Sequence, residues 1–420
     1  MNNYNINKKY KCGIIFIILY FAFIIYSGVN TIILKGIKEK DNSLSPMKNR
    51  GFYHSKLSEK EEREIILSRG RKYLKKCLIS NNTNFFEINT NPILTTIIPS
   101  YNSQKTISTS IHSIQYQNYS NIEIIVVDDF STDNVKQVIK NMQLYDKRIK
   151  LIENKKNMGT LYTRCIGALL AQGSYIFSLD NDDFFFDEDV FDFIYREQLR
   201  DNLDLVSFRI LYTEHDLNDI SKMKDYFFYG FRNNLYLSQP KLGSWTLNIN
   251  GKFRIHDNEI WSKSIKTNIY KKAVNMLGIQ RYSKYVCWAE DTNINFIIFN
   301  IAQSFKYIHK FGYIHILKAT SATFTQNFNN KLFGELFFLD VMFDFSKNTS
   351  VKNYVVSYAL YLRHRYRIIK YTNNTNCYYL KTILYKIINC QFITKENIKK
   401  IINNFNSFIF YNNLKIQLYL

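Results

Sequence analysis

Residues 93–183 alternate between two kinds of segment, and this alternation constrains the fold more than any other feature. Short β-branched runs such as "ILTTIIP" and "IEIIVV" are typical of buried strands. Between them, "QKTISTSIHSIQYQ" places apolar side chains at Ile107, Ile111 and Ile114, which is a helical spacing. A strand, a helix and a second strand in this order predict a βαβ unit.

The same alternation continues along the chain. "VKQVIKNMQLY" and "TLYTRCIGALLAQ" have helical spacing, whereas "RIKLIEN" and "SYIFSL" are strand-like. The sequence therefore predicts an α/β domain with a mostly parallel sheet and helices on both faces. In such sheets, ligands bind at the carboxyl ends of the strands.

Acidic residues gather where two of the predicted strands end. Asp128 and Asp129 follow one strand, and "SLDNDDFFF" places Asp180, Asp182 and Asp183 after another, in a chain with a net charge of +21. Helix capping accounts for single acids in turns. It accounts less well for two clusters at strand ends, so we expect these carboxylates to converge at one ligand-binding edge.

The pair Asp180 and Asp182 forms a D-x-D array. Neighbouring carboxylates repel one another and stay ionised only beside a cation or strong donors. Oxygen ligands favour Mg²⁺ or Mn²⁺, whose coordination is typically completed by substrate phosphates. The array therefore predicts a metal site that takes a diphosphate.

An uncharged apolar stretch, Ile14–Leu34, is about as long as the ~20 residues that a helix needs to cross a bilayer. A cleaved signal peptide with its apolar core at Ile14–Ile25 is the alternative, but no small-x-small cleavage site follows that core. Lys8, Lys9 and Lys11 favour a cytosolic N-terminus and a lumenal body.

The basic excess lies in the flanking regions rather than in the middle of the chain. This distribution favours contact with anionic lipid headgroups over a nucleic-acid groove, for which no zinc-finger or RNP-like signature is present. The six cysteines include no C-x-x-C pair, so they specify neither a zinc site nor a disulfide framework.

Four blocks, "TIIPSYN", "EIIVVDDFSTD", "NKKNMGTLYTRCIGALLAQGSYIFSLDNDD" and "WAED", occur in this order. Together they resemble the successive motifs of the family 2 glycosyltransferases. The resemblance covers residues 93–215 closely and extends more loosely to residue 325. It implies a GT-A fold, a Rossmann-like domain that uses a nucleotide-sugar donor, with UDP favoured, and a divalent metal.

The resemblance also implies roles for residues on the donor side. Pro99 and Tyr101 would shape the first nucleotide loop, with Tyr101 near the base. Asp128 and Asp129 occupy the uracil-recognising position, and the sequence leaves open which of them makes the contact. Arg164 matches an arginine that approaches the nucleotide.

Further roles follow for the metal and the acceptor. Asp180 would face the ribose and the metal, and Asp182 would ligate the metal beside the diphosphate. Asp291 would be the general base that deprotonates the acceptor hydroxyl, with Glu290 beside it. His315 lies where some family members place a histidine that touches metal or diphosphate, although a lone histidine after an apolar strand is more often structural.

Tryptophans are candidates for stacking on an acceptor sugar, and Trp288 is favoured among them because it adjoins the expected base. No Q-x-x-R-W follows that base, and no second membrane span is evident. These features favour transfer of single sugars over processive synthesis.

Two other classes stay open. One is an inactive GT-A domain that serves as a nucleotide-sugar or glycan-binding scaffold. The other is a nucleotidyltransferase on a similar fold, but the first strand-helix turn, "IPSYNSQKT", lacks the glycines of a phosphate loop.

The expected organisation is a lumenal, membrane-anchored enzyme of the endoplasmic reticulum or Golgi, whose acceptor is a glycan, lipid or protein and not a nucleic acid. A stem helix is predicted at Leu57–Leu78, with acidic residues early and basic residues late. The predicted regions are 1–13 cytosolic, 14–34 transmembrane, 35–92 stem, 93–325 GT-A domain and 326–420 helical tail.

Overall fold

The computed structural model describes residues 59–79, 86–87, 91–214, 224–229, 235–238, 259–317 and 328–345. The predicted membrane span, Ile14–Leu34, and most of the predicted tail lie outside these ranges. No helix within them is both long enough and apolar enough to span a bilayer.

Ten strands in the described ranges form one sheet. They are β1 Leu94–Ser100, β2 Ile122–Asp128, β3 Ile149–Glu153, β4 Tyr175–Ser178, β5 Phe184–Phe185, β6 Leu205–Glu214, β7 Lys224–Tyr229, β8 Leu235–Ser238, β9 Lys263–Lys266 and β10 Ser304–Leu317.

Helices connect and cover these strands. They are α1 Glu59–Ile79, α2 Ile107–Gln115, α3 Val135–Gln143, α4 Thr160–Leu170, α5 Val190–Arg200, α6 Thr267–Leu277, α7 Ile279–Tyr282, α8 Glu290–Ile301 and α9 Phe328–Phe345.

The strand order is β3-β2-β1-β4-β9-β6-β10-β5, with β7 beside β6 and β8 beside β10. From β3 to β4 every pairing is parallel, as the sequence predicts. Beyond β4 the sheet is mixed, because β9 runs antiparallel to both of its neighbours while β6 and β10 are parallel to each other. The fold is therefore an α/β sheet with one parallel and one mixed half.

The parallel half contains a point where the chain changes direction across the sheet. It steps from β1 to β2 and on to β3, and then returns past β1 to form β4. Right-handed crossovers in opposite directions lie on opposite faces, so α2 and α3 cover one face and α4 covers the other. The carboxyl ends of β1 and β4 flank the switch point, where such sheets form a binding crevice.

The predicted helices and strands of the parallel half are confirmed. The run that contains Ile107, Ile111 and Ile114 is helix α2, and all three side chains are buried. β1 and β2 are buried along their whole lengths, which explains why apolar and β-branched residues dominate both strands without alternation. The buried Glu123 of β2 is the exception, and it accepts hydrogen bonds from Thr95 and Lys150.

The predicted stem helix is also confirmed, as α1, and it packs against the sheet domain. Tyr73 Oη donates a hydrogen bond to the Ser113 carbonyl at 2.9 Å, and Arg69 Nη2 lies 3.1 Å from Asp187 Oδ2. A Cβ placed on Gly70 would lie 3.1 Å from the Phe186 ring. Part of the predicted stem therefore supports the segment that follows the acidic cluster.

Because α1 approaches Phe186 so closely, we expect Gly70→Leu to destabilise the protein by about 1–3 kcal/mol through overpacking. Ser68→Leu on the exposed face of the same helix is the control, and it should leave stability unchanged or slightly higher. Urea unfolding measures both variants. An equal response of the two variants would contradict this packing.

Candidate functional site

The carboxyl ends of β1 and β4 are joined by a side chain from the middle of the D-x-D array. Asn181 Nδ2 donates to the Pro99 carbonyl at 3.0 Å. In the register, Ile97 is level with Ser178, so Pro99 is level with Asp180. The predicted nucleotide loop and the predicted metal array therefore lie side by side at the switch point.

The loops that follow β1 and β2 are tied to each other. The Asn102 N–H donates to Ser131 Oγ at 2.9 Å, and Asn102 Oδ1 accepts the Thr132 N–H at 2.8 Å. Asn102 and Phe130 have φ angles of 48° and 65°, in the left-handed region that few non-glycine residues adopt. Each of the two residues follows a predicted nucleotide contact, Tyr101 or Asp129. Two such rare conformations show that the surrounding contacts force both loops into one specific backbone conformation.

Asp128 and Asp129 have different surroundings. Asp129 accepts three hydrogen bonds, from Asn154 Nδ2 and from the N–H groups of Met158 and Gly159, each at 2.8 Å. Asp128 Oδ2 accepts the Ser131 N–H at 3.1 Å, while its buried Oδ1 has no hydrogen-bond partner among the described residues. Asp129 thus fixes the loop that leads into α4, and Asp128 fixes the turn after β2.

Two half-exposed aromatic rings lie near Asp129. Tyr101 is 48% exposed and Tyr285 is 45% exposed. A Cβ on Gly159, whose N–H donates to Asp129, would lie 3.3 Å from the Tyr285 ring. Burial and Cys287 raise the pKa of Tyr285 to about 12, and Asp129 and Tyr101 add to that shift. Exposed rings beside a carboxylate suit a flat ligand that carries an N–H donor.

Arg164 lies at the centre of the predicted catalytic residues. Its guanidinium, 3% exposed, is 2.5 Å from Asp180 Oδ1 through Nη2 and 3.3 Å from Glu290 Oε1 through Nη1. Nη1 also pairs with Asp291 Oδ1. One side chain of α4 therefore brings together the end of β4 and the first turn of α8.

Three carboxylates around one guanidinium leave the cluster with excess negative charge. Burial raises the pKa of Glu290, and Arg164 offsets part of that effect. The pKa of Asp291 is raised for the same reason, and Glu290 and Asp180 raise it further. Carboxyl groups with raised pKa values are suited to proton transfer near neutral pH.

Asp183 is fully buried and holds His315 in place. Asp183 Oδ2 accepts hydrogen bonds from Tyr313 Oη at 2.9 Å and from His315 Nδ1 at 2.7 Å, while Oδ1 accepts the Ile316 N–H at 2.8 Å. Tyr313 Oη in turn accepts the Asp180 N–H at 3.0 Å. The acid next to the D-x-D array is therefore an anchor for β10.

The His315 ring is oriented by an aromatic stack as well. Trp261 lies parallel to it, with an interplanar angle of 6° and ring centroids 5.0 Å apart. Burial has the largest single effect and opposes the charged imidazole, but Asp183, Asp180 and Asp182 together outweigh it and raise the pKa of His315 to about 9. His315 thus lies within the field of the acidic cluster.

The candidate metal-ligating residues, Asp180, Asp182 and His315, fit a hard divalent ion only when a bound ligand completes the coordination of that ion. Within the described residues, no three His, Cys, Asp or Glu side chains are grouped to hold a metal by themselves. Mg²⁺ and Mn²⁺ are commonly held by one or two carboxylates plus substrate phosphates. A histidine whose other nitrogen faces a carboxylate, as His315 does, has the outer-shell arrangement typical of a metal ligand.

Three residues have roles here that were not predicted from the sequence. Tyr313 lies two residues before His315, on the same face of a strand, and this spacing is a signal that could have been used. The anchoring role of Asp183 could have been distinguished from the predicted metal-binding role of Asp182 only by knowing which of the two carboxylates faces β10. Nothing local in the sequence pairs Trp261 with His315.

Comparison with known proteins agrees with this architecture. Residues 95–260 match the model of glycosyl transferase family 2, so the chain contains a domain of that family. An uncharacterized glycosyltransferase of Haemophilus influenzae is 43% identical over 93 residues, which cover 22% of this chain and 37% of that protein.

Two relatives have more specific names. The UDP-Glc:alpha-D-GlcNAc-diphosphoundecaprenol beta-1,3-glucosyltransferase WfgD of Escherichia coli is 41% identical over 91 residues, 22% of this chain and 35% of that protein. A GalNAc(5)-diNAcBac-PP-undecaprenol beta-1,3-glucosyltransferase of Campylobacter jejuni is 39% identical over 93 residues, 22% of this chain and 30% of that protein. The matched segment thus spans only about a third of the length of these curated relatives.

Among solved structures, S. aureus TarS 1–349 in complex with UDP-GlcNAc aligns with a TM-score of 0.45 and 16% identity. The alignment covers 77% of this chain and 76% of that one.

The geometry assigns different roles to the two adjacent acids, and this can be tested. Asp183→Asn should lower the free energy of unfolding by about 2–3 kcal/mol, because an amide NH₂ would replace an oxygen that accepts buried hydrogen bonds. Asp182→Asn, at a less buried position, should change it by less than about 1 kcal/mol. Thermal unfolding of both variants measures the difference, and the reverse order of stabilities would contradict the assignment.

Proposed function

We propose that the chain is a membrane-anchored, metal-dependent, non-processive glycosyltransferase. It would transfer a sugar from a UDP-sugar to an acceptor hydroxyl with inversion at the anomeric carbon. The observation that carries the proposal is the Arg164 cluster, in which one guanidinium contacts both Asp180 and Asp291. A donor-side carboxylate and a candidate base are thereby held on either side of one charged group.

The donor would bind across the switch point. The uracil ring would lie beside Tyr101 and Tyr285, and its N–H would face the acidic pair Asp128 and Asp129. Support comes from the half-exposed rings near Asp129 and from the family match over residues 95–260. The diphosphate would extend towards Asp180.

Asp182 would hold the metal, with Asp180 and His315 as further candidate ligands. The metal would neutralise charge on the diphosphate as it leaves. Asp183 and Trp261 would keep the imidazole of His315 directed at this position.

Asp291 would accept the proton of the acceptor hydroxyl. The hydroxyl oxygen then forms a bond to the anomeric carbon while the bond from that carbon to the diphosphate oxygen breaks, and its electron pair leaves with UDP. Burial and neighbouring carboxylates raise the pKa of Asp291, which makes it a stronger base than an ordinary aspartate. Glu290 would share the positive charge of Arg164 with it.

The acceptor and the location are proposals from the sequence and the relatives. Two relatives are named as glucosyltransferases that act on undecaprenol-linked sugars, so lipid-linked sugars are the first acceptor class to test, ahead of free glycans and proteins. The apolar stretch Ile14–Leu34 would be a single-pass anchor, with the catalytic domain on the lumenal side of the endoplasmic reticulum or Golgi.

Calorimetry of the full-length chain with UDP tests the donor site. We expect binding that requires Mn²⁺ or Mg²⁺ and that weakens at least tenfold in Asp182→Asn, because that carboxylate would hold the metal. Asp192→Asn, at a partly exposed position on α5 that pairs with Arg196, should bind like the wild type. Absence of UDP binding to the wild type in the presence of Mn²⁺ would contradict the proposal.

The catalytic step is tested by release of UDP from a UDP-sugar. Asp291→Asn should bind UDP normally, yet its turnover should fall by roughly 10²–10⁴-fold through loss of the base. Unchanged turnover would overturn the role of Asp291. UDP binding by a wild type that turns over no UDP-sugar would favour the scaffold alternative.

A further inference from the structure

The backbone is strained two residues before the candidate base, Asp291. Ala289 has φ 55° and ψ 21°, a left-handed conformation, at the position that begins α8. For a residue with a Cβ this conformation costs about 1–2 kcal/mol. Such strain persists only where the surroundings impose it, and it is found preferentially at functional sites.

Helix α9 lies directly against this turn. A Cβ on Gly334 would be 2.1 Å from the carbonyl oxygen of Trp288, so only a glycine allows the helix to come so near. One turn earlier on the same helix, Lys331 Nζ lies 4.7 Å from the centre of the Trp288 ring. The backbone and a side chain of α9 therefore both contact the residue that precedes Ala289.

The position of α9 is fixed by contacts with two other helices. Phe338 packs edge-on against Phe296 of α8, with ring centroids 6.3 Å apart. Arg281 of α7 lies 3.5 Å from Asp340 Oδ2 and also pairs with Asp344. The helix cannot move away from the turn without breaking these contacts.

The opposite side of the same segment is held by α4. The Val286 carbonyl accepts the Leu161 N–H at 3.3 Å, and a Cβ on Gly159 would be 3.0 Å from that oxygen. Since α4 also carries Arg164, it contacts both the segment before Ala289 and the carboxylate of Asp291. The base-bearing turn is thus enclosed between α4 and α9.

We propose that α9, through Gly334 and Lys331, is a positioning element that forces Ala289 into its strained conformation and so directs Asp291 at the acceptor. This inference rests on the proposed function, because it assigns the base role to Asp291. A catalytic group displaced by about 1 Å loses roughly 10²-fold in rate, which gives a physical reason to keep a strained turn. The helix lies beyond the family-matched residues 95–260, so it adds a part to the site that the family model does not include.

Ala289→Gly and Ala289→Val together provide the sharpest test, because glycine adopts positive φ without strain. We expect the melting temperature of the full-length chain to rise in Ala289→Gly while kcat for release of UDP from a UDP-sugar stays near that of the wild type, because α9 still imposes the conformation. Ala289→Val, whose β-branched side chain resists positive φ, should instead lower kcat at least tenfold. Donor KM and the calorimetric affinity for UDP with Mn²⁺ should be unchanged. An unchanged kcat in Ala289→Val would overturn the proposal, as would a rise in its donor KM that accounts for the lost activity.

A second pair of variants tests α9 itself. Lys331→Met keeps the length of the side chain and removes its charge over Trp288, so kcat should fall about threefold to tenfold with donor KM unchanged. Gly278→Ala is the control, because it sits at φ +80° in open space and should lower stability without displacing the base. The proposal fails if Gly278→Ala lowers kcat as much as Lys331→Met does.

The proposed function and the positioning role of α9 are refuted by different results. If wild-type protein neither binds UDP nor releases it from any of UDP-glucose, UDP-galactose and UDP-GlcNAc, the proposed function fails and takes this inference with it. If the wild type is active and Asp291→Asn is inactive, but Ala289→Val and Lys331→Met keep full activity, only the positioning role of α9 is refuted.

Discussion

The balance of charge around Arg164 is the interaction on which the rest of the site depends. Three carboxylates, Asp180, Glu290 and Asp291, come from two distant parts of the chain and meet at one buried guanidinium. Without that cation, their mutual repulsion and the loss of hydration would favour separating β4 from α8. With it, the excess negative charge is tolerable and remains available for a metal ion and for proton transfer.

The sheet topology explains why the donor residues meet where they do. The reversal of strand order between β1 and β4 opens a crevice at their carboxyl ends, and both predicted acidic clusters follow strands of this parallel half. The mixed half of the sheet contributes aromatic and histidine side chains to the site. Strand β10 carries Tyr313 and His315, and Trp261 lies two residues before β9. Each half therefore supplies one side of the acidic cluster, and Asp183 links them through three hydrogen bonds.

Much of the parallel half was predictable because its signals are local. The helical spacing of Ile107, Ile111 and Ile114 predicts α2, and the β-branched, mostly apolar runs of β1 and β2 predict those two strands. The antiparallel entry of β9 between β4 and β6 could not be read from sequence, because it is a pairing between distant segments. The same holds for the stacking of Trp261 on His315 and for the contact of Gly334 with Trp288, which depend on tertiary packing alone.

The most direct test of the central claim is the pH dependence of stability in Arg164→Gln. The free energy of unfolding of this variant and of the wild type would be measured at pH 5 and at pH 8 without divalent ions. Arg164 opposes the rise in the pKa of Glu290 and of Asp291, so its removal should raise both pKa values further. The folded variant then keeps protons to higher pH than the folded wild type does, and the deficit of the variant should be larger at pH 8 than at pH 5. An equal deficit at both pH values would show that Arg164 acts only through packing, and would contradict the account.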